Sequence, residues 1–255
     1  MKKIIALIIA AVLMLGFAAC SKEEEKFVIG ITIYAPMNYK DEKGELVGFD
    51  TEFAKEACSR LGLAPEFVVI DWNTKEMELN SGNIDCIWNG FTVNDERRKQ
   101  IDFTDSYLEN KQVIVIRAED AEKYNSVESL AGAALVAEVS SAGEGAIEDE
   151  EGPLCGNPYT PVAKQSDALL EVKSKTAEAA VIDYTMAMAM VGEGTDYSDL
   201  MIMDTEPLLD EEYAIGFKIG SDYVEKFNKV IAEMIADGSL KKIAEKYGLE
   251  GQLIG

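Results

Sequence analysis

The order of elements along this chain predicts an α/β protein of two lobes, each a mostly parallel sheet flanked by helices. Short runs of apolar and β-branched residues alternate with segments of helical period. That alternation begins afresh after the β-branched run at 112–116. With 255 residues, the chain is long enough for two such units, and neither is large enough to be the whole.

In the first unit, residues 27–33 form a strand with Val28, Ile29, Ile31 and Ile33 as apolar positions, and the chain turns at Tyr34-Ala35-Pro36. Asp41-Glu42-Lys43-Gly44 makes a hairpin-like turn. Over 49–61, Phe53, Ala57, Cys58 and Leu61 recur at helical spacing, and Gly62 ends the helix. A second strand at 66–70, a short helix at 75–81 and a third strand at 84–88 complete a βαβαβ order, which implies a parallel sheet. In the second unit, a short helix at 126–130 precedes a strand at 134–139 and a small-residue turn at 140–143. A helix then runs into the acidic loop 148–152, a further helix covers 166–173, a buried strand at 179–183 ends in an acid, and a Met-rich helix covers 185–191. A last strand at 212–217 leads to an amphipathic helix with Val224, Phe227, Ile231, Met234 and Ile235 on one stripe. Gly238 breaks that helix, and Ser239 caps a final one.

At the N-terminus, Lys2 and Lys3 precede an apolar run at 4–17 and then Ala18-Ala19-Cys20, the layout of a secretory signal. The run is short of the roughly 20 residues that span a bilayer. A cysteine directly after the small residues suggests a lipoprotein signal over 1–20, with Cys20 the acylated first mature residue; Phe17, where leucine is usual, leaves ordinary signal-peptidase cleavage open. Residues 21–26 read as a polar tether. The chain has 24 basic and 47 acidic residues, a net charge of −23 and no histidine. That balance argues against nucleic-acid binding. The missing histidine removes Ser-His-Asp and Cys-His nucleophiles and histidine-bearing zinc sites, so no metal and no cofactor is expected. Beyond Cys20, Cys58 and Cys86 read as small core residues, and Cys155 makes the number odd; any disulfide among the three stays open. The Met-rich helix reads as packing and the acidic loop as a solvated run.

The stretch 89–103 runs from a buried strand into a helical turn and leaves a guanidinium there. Gly90 admits close approach to the backbone, Thr92 offers a hydroxyl, Asn94 or Asp95 caps the turn, and Arg97 presents a planar fork of donors. A bare basic triplet, Arg97-Arg98-Lys99, reads first as a solvated helix face; the rest of the chain reverses that. In open parallel sheets, ligands bind outside the carboxyl ends of strands. Arg97 and the backbone N–H groups after Ser141 would accept a carboxylate there. Asp183, with the Gly90 carbonyl and the Thr92 hydroxyl, would accept an ammonium; on position alone, Asp183 as a helix cap is about as good a reading. A ligand carrying both charges close together is an α-amino acid. Tyr34 and Trp72 each follow a strand and would clamp its side chain.

In its ordered motifs, the chain resembles the family 3 extracellular solute-binding proteins, the amino-acid receptors of ABC importers, over about residues 27–248. The matching residues include Tyr34-Ala35-Pro36-Met37, Leu46-Val47-Gly48-Phe49-Asp50, Asp71-Trp72, the run 79–85, the run 90–103, Gly143-Glu144, Ala180-Val181-Ile182-Asp183 and Tyr213-Ala214-Ile215-Gly216. The resemblance implies a periplasmic-binding-protein fold with lobe one at 27–111 and 216–255, lobe two at 117–211, and hinge strands at 112–116 and 212–215. It implies that Arg97 binds the carboxylate, Asp183 the ammonium, that Gly90, Thr92 and Ala142 add polar contacts, and that Tyr34 and Trp72 enclose the side chain. Asn89 stands where a small residue is common and Ala142 where a hydroxyl is common. No aspartate stands at Thr32 or Ile33 to face a cationic side chain, which turns the expectation towards a neutral polar ligand such as glutamine, with cystine open. The expected protein is a lipid-anchored, extracytoplasmic monomer that delivers its amino acid to an ABC permease and performs no catalysis. The rival is an enzyme on the same fold, such as a cyclohexadienyl dehydratase.

Overall fold

A computed structural model describes residues 25–255. The expected signal segment, Cys20 and most of the tether therefore lie outside the described residues.

The chain opens with β1 (Glu25–Ile31), the small hairpin β2 (Tyr39–Lys40) and β3 (Leu46–Val47), then α1 (Phe49–Leu61) and β4 (Leu63–Val69). The helix α1 ends where Gly62 takes a left-handed φ of 69°, a conformation that favours glycine. Next come α2 (Lys75–Ser81), β5 (Cys86–Thr92), α3 (Asp95–Arg98), β6 (Ile101–Phe103) and the long β7 (Leu108–Arg117). Then follow β8 (Leu135–Glu138), α4 (Ala142–Glu148), β9 (Tyr159–Val162), α5 (Gln165–Lys173), β10 (Ala179–Asp183), α6 (Tyr184–Met190) and β11 (Leu200–Ile202). A second long strand, β12 (Leu209–Lys218), leads into α7 (Tyr223–Ala236) and α8 (Ser239–Tyr247).

The main sheet runs β4-β1-β5-β12-β7-β10-β8-β9, with β6 on β12 and β11 on β7. Its two flanks are parallel: β1 with β4 and β5, and β8 with β9 and β10. The join between them is antiparallel. Residues 209–213 of β12 pair with 108–112 of β7, while the far half of β12 pairs with β5 and the far half of β7 with β10. Each long strand thus belongs to both flanks, so two strands carry the chain from one lobe to the other.

One core packs α1 and α7 on the β1 flank, where Phe53 meets Trp88 edge-on at 4.9 Å and Phe27 meets Phe227 at 5.4 Å. Another, beneath β8 and β10, gathers Ile114, Leu135, Ile147 and Val181. Cys58 and Cys86 are free and buried, and Cys155 is free and exposed.

Three expectations are corrected. The strand expected to stop at Trp88 continues through Thr92, because every residue of Cys86–Thr92 is buried and Thr92 still pairs with Tyr213. Gly90 and Thr92 therefore sit inside a strand and not beyond its end. Gly238, at φ 73°, takes the cap position of α8 and Ser239 is the first helical residue. In the Met-rich helix, Met186 is buried but Met188 is 56 % exposed, so only part of it is packing. The strands β9 and β11 were not expected; they are four and three residues long and only partly buried, too short to show a period.

Candidate functional site

Arg97 lies in the single turn α3, whose Asn94 cap accepts the Arg97 N–H at 2.8 Å. Of the two caps left open by the sequence, Asn94 is the one used. The Arg97 guanidinium stacks over Phe91, with Cζ 4.7 Å from the ring centre. Its Nη1 donates to the Thr92 carbonyl at 2.7 Å and its Nη2 to the Ser140 carbonyl at 3.2 Å. Among the described residues, no carboxylate pairs with it. Burial pulls the guanidinium below its ordinary range. Arg98, its neighbour, is exposed.

Lys75, in the first turn of α2, was not expected here. Its side chain is buried at 1 % exposure, and its Nζ donates to the carbonyls of Trp72 and Ser140, both at 3.2 Å, and lies 3.2 Å from Glu76. Burial, with Arg97 close by, pushes it down to about 8. The Ser140 carbonyl thus receives donors from two cations, both from the opposite lobe. Ser140 holds that aim with a left-handed φ of 58°, its N–H on Glu144 Oε2 at 2.7 Å and its hydroxyl on Asn73 Oδ1 at 2.8 Å.

Asp183 ends β10 and takes the cap position of α6, yet its side chain makes no cap hydrogen bond. Instead, Oδ1 accepts from Asn110 Nδ2 at 2.9 Å and Gln112 Nε2 at 2.5 Å, and Oδ2 accepts from Gln165 Nε2. Three neutral amides hold it and, among the described residues, no cation does. That arrangement stabilises a buried anion by hydrogen bonds while leaving its charge uncompensated.

Between the lobes, Tyr34, Asn89, Gly90 and Asp183 line one cavity together with Thr32, Glu138, Lys164 and Gln165, and it measures about 10 Å³. Such a space holds one water. A hollow of about 720 Å³ beside Asn110, Glu211 and Gln252 is larger but contains none of the expected residues, and chemistry favours the small one. Gly90 has φ 56°, and a Cβ there would stand 2.8 Å from Tyr34 and 2.9 Å from Tyr213. Its N–H donates to Asp50 Oδ2 at 2.7 Å; burial pushes that carboxyl up to about 7 against this bond and the Tyr107 hydroxyl. The Tyr34 and Tyr213 hydroxyls pair at 2.8 Å. Asn89 staples Thr32, accepting its N–H at 2.8 Å and donating to its hydroxyl at 2.7 Å. Glu138 is 5 % exposed in the cavity wall, and burial followed by the charge of Asp183 pushes it up to about 8.

The remaining expected residues lie apart from this cavity. Trp72 packs edge-on against Phe91 at 5.5 Å beneath Lys75 and is not among the residues that line the small cavity. Ser141 caps α4, accepting the Glu144 N–H at 3.0 Å, and with Ala142 and Asn94 lines a separate hollow of about 220 Å³. Among the described residues, no group of acids, cysteines or histidines is placed to hold a metal, and no helix is long and apolar enough to cross a membrane.

The chain matches the model of the bacterial extracellular solute-binding proteins, family 3, over residues 27–250. It is 30 % identical to the arginine-binding extracellular protein ArtP of Bacillus subtilis (strain 168), over 97 % of this chain and 98 % of that protein. Among solved structures, it resembles an ancestral arginine-binding protein bound to glutamine, with a TM-score of 0.80 at 32 % identity over 88 % of this chain and 98 % of that one. It also resembles an ancestral amino-acid-binding protein described as a precursor of cyclohexadienyl dehydratase, with a TM-score of 0.79 at 26 % identity over 87 % of this chain and 95 % of that one. With two α/β flanks joined by two long strands and a family match over nearly all the described residues, the chain belongs to family 3 of the bacterial extracellular solute-binding proteins.

Proposed function

We propose that this protein captures a free α-amino acid between its two lobes and hands it to an ABC permease, without chemical change. The observation that carries the reading is a pair of opposite charges from opposite lobes, half-buried Arg97 and buried Asp183, each held only by neutral groups. Each lacks a counter-charge, and an amino acid's carboxylate and ammonium supply both. In this reading, the Ser140 carbonyl occupies a place that a ligand carboxylate oxygen would take, and Lys75 joins Arg97 in holding it. Gly90 and Thr92 provide backbone and hydroxyl contacts, the Ser141-Ala142 helix start provides N–H groups, Tyr34 and Asn89 wall the side-chain space, and Trp72 supports Lys75 from below. The lobes are 27–111 with 216–255, and 117–211, hinged at 112–116 and 212–215.

The side chain is polar: Thr32, Asn89, Glu138, Lys164 and Gln165 all line its space. Glutamine fits the missing aspartate at Thr32; arginine, which names the relative ArtP, fits Glu138; cystine is the third choice. A thermal-shift screen of the free amino acids and cystine separates them, because a ligand bound only by the folded state raises its stability by RT ln(1 + [L]/Kd). No shift with any amino acid would overturn the reading. The dehydratase rival is tested by incubating ligand with stoichiometric protein: recovery of unaltered ligand is expected, and product formed above background would revive the enzyme.

The protein acts outside the cytoplasm as a monomer, tethered through an acylated Cys20. Cys20→Ser should release it from the membrane and abolish labelling by a fatty-acid analogue; retained labelling would contradict the anchor.

A further inference from the structure

A second buried carboxylate lies beside Asp183, where the two long strands cross. Glu211, on β12, is 8 % exposed. Its Oε1 accepts from Gln112 Nε2 at 2.8 Å and from Asn110 Nδ2, the same two amide groups that hold Asp183 Oδ1. Its other oxygen, Oε2, is buried without a hydrogen-bond partner. Two buried carboxylates so close, sharing two donors, repel too strongly for both to ionise. Asp183 accepts from a third amide, Gln165, which Glu211 does not reach. Glu211, with an unpartnered oxygen, is the better place for a proton; burial and then the charge of Asp183 push it up to about 8.

The other charged and titratable groups around the pair do not supply a neutralising partner: Lys164, which lines the same cavity as Asp183, is exposed and makes no ion pair among the described residues. Arg97, from the α3 side, acts on both acids from a distance, Glu138 on β8 adds a further acid, and Tyr34 and Tyr213 are phenols held well above their ordinary range by burial. Lys111, on β7, turns to the Tyr184 ring at 4.6 Å.

We infer that Asp183 and Glu211 hold one proton between them, on Glu211, and that the ligand's ammonium displaces it on reaching Asp183. The inference rests on Asp183 as the ammonium site. Glu211 is then a positioning residue: it presents Asp183 through the shared amides and makes affinity depend on pH. The proton balance is simple, since the ammonium brings one positive charge into the site and the proton leaves to bulk water. Where one proton is released per ligand, affinity rises about ten-fold per pH unit until the free pair loses its proton near pH 8.

Titration calorimetry with L-glutamine and with L-arginine, at about pH 7 in buffers of differing ionisation heat, reads the released protons directly. Wild type should release close to one proton per bound amino acid, and affinity should climb between about pH 6 and about pH 8. Glu211→Gln keeps a side chain of the same shape with no proton to lose, and should bind with a flat pH profile and no release. Binding to wild type without buffer dependence would overturn the inference, and needs no variant to fold. So would release that persists in Glu211→Gln, or release that Glu138→Gln abolishes while Glu211→Gln does not. Absence of binding heat with both, together with no thermal shift from any amino acid, would instead overturn the amino-acid reading, and the coupling with it.

Discussion

A desolvated guanidinium costs less where donors are met, and half-buried Arg97 meets two of its donors with carbonyls and lays its face on an aromatic ring. A carboxylate replacing the Ser140 carbonyl would gain charge-assisted bonds from Arg97 and Lys75 together. Lys75→Met keeps the apolar stem and removes the ammonium, and should weaken amino-acid binding about ten-fold or more by calorimetry, since a hydrogen bond to a charged group contributes about 1.5–3 kcal/mol. Unchanged affinity would remove Lys75 from the site. Gly90 makes the other sharp residue-scale case. Its positive φ and the rings of Tyr34 and Tyr213 leave no space for a methyl group, so Gly90→Ala should destabilise the fold by about 1–3 kcal/mol in urea melts. Arg97 was legible because a strand, a glycine and a capped turn precede it in sequence. Lys75, Asn110, Gln112 and Gln165 were not: each is a lone polar residue whose neighbours give no signal, and only long-range packing buries it.

At the scale of elements, periodicity and caps placed most of the chain. The helices Phe49–Leu61 and Lys75–Ser81 and the strand Ala179–Asp183 have the bounds the sequence suggests, because glycine ends both helices and the strand is uniformly apolar until its acid. The strand Cys86–Thr92 ran longer than expected since a glycine and an asparagine inside it look like a loop; Asn89 is instead tied to Thr32 and Asn38, and Gly90 to Asp50. The turn α3 is only four residues long and depends on its cap. Asn94→Ala should lower stability by about 1 kcal/mol and weaken ligand binding by a few-fold as Arg97 loses its anchor. Chemical melts and calorimetry on one preparation check both; lost stability with unaltered affinity would show that the cap does not position Arg97.

The whole molecule is strongly acidic, and three of its buried acids are raised, Asp50 up to about 7 and Glu138 and Glu211 up to about 8. Each is raised above its unfolded value, roughly 4. The folded state therefore binds these protons more tightly, and the stability they contribute is complete below about pH 4 and lost as pH rises through about 7 to 8. Thermal melts of the ligand-free protein should fall from about pH 5 to about pH 8, and Glu211→Gln should flatten the decline; a melting temperature that climbs over this range would contradict the protonated pair. Ligand binding should narrow the fall by favouring the folded state. The two-lobed layout was legible from the restart of βαβ order, whereas the antiparallel join of β7 and β12 was not, because pairing between segments 100 residues apart leaves no local pattern. Whether opposite charges clamp one amino acid between the lobes is read by calorimetric titration of wild type, Arg97→Ala, Asp183→Ala and Arg98→Ala with the amino acid of largest thermal shift. Removing one partner of a desolvated charge pair costs about 2–5 kcal/mol, so the first two variants should bind tens- to thousands-fold more weakly while Arg98→Ala stays near wild type. Binding lost in Arg98→Ala and kept in Arg97→Ala would contradict the account.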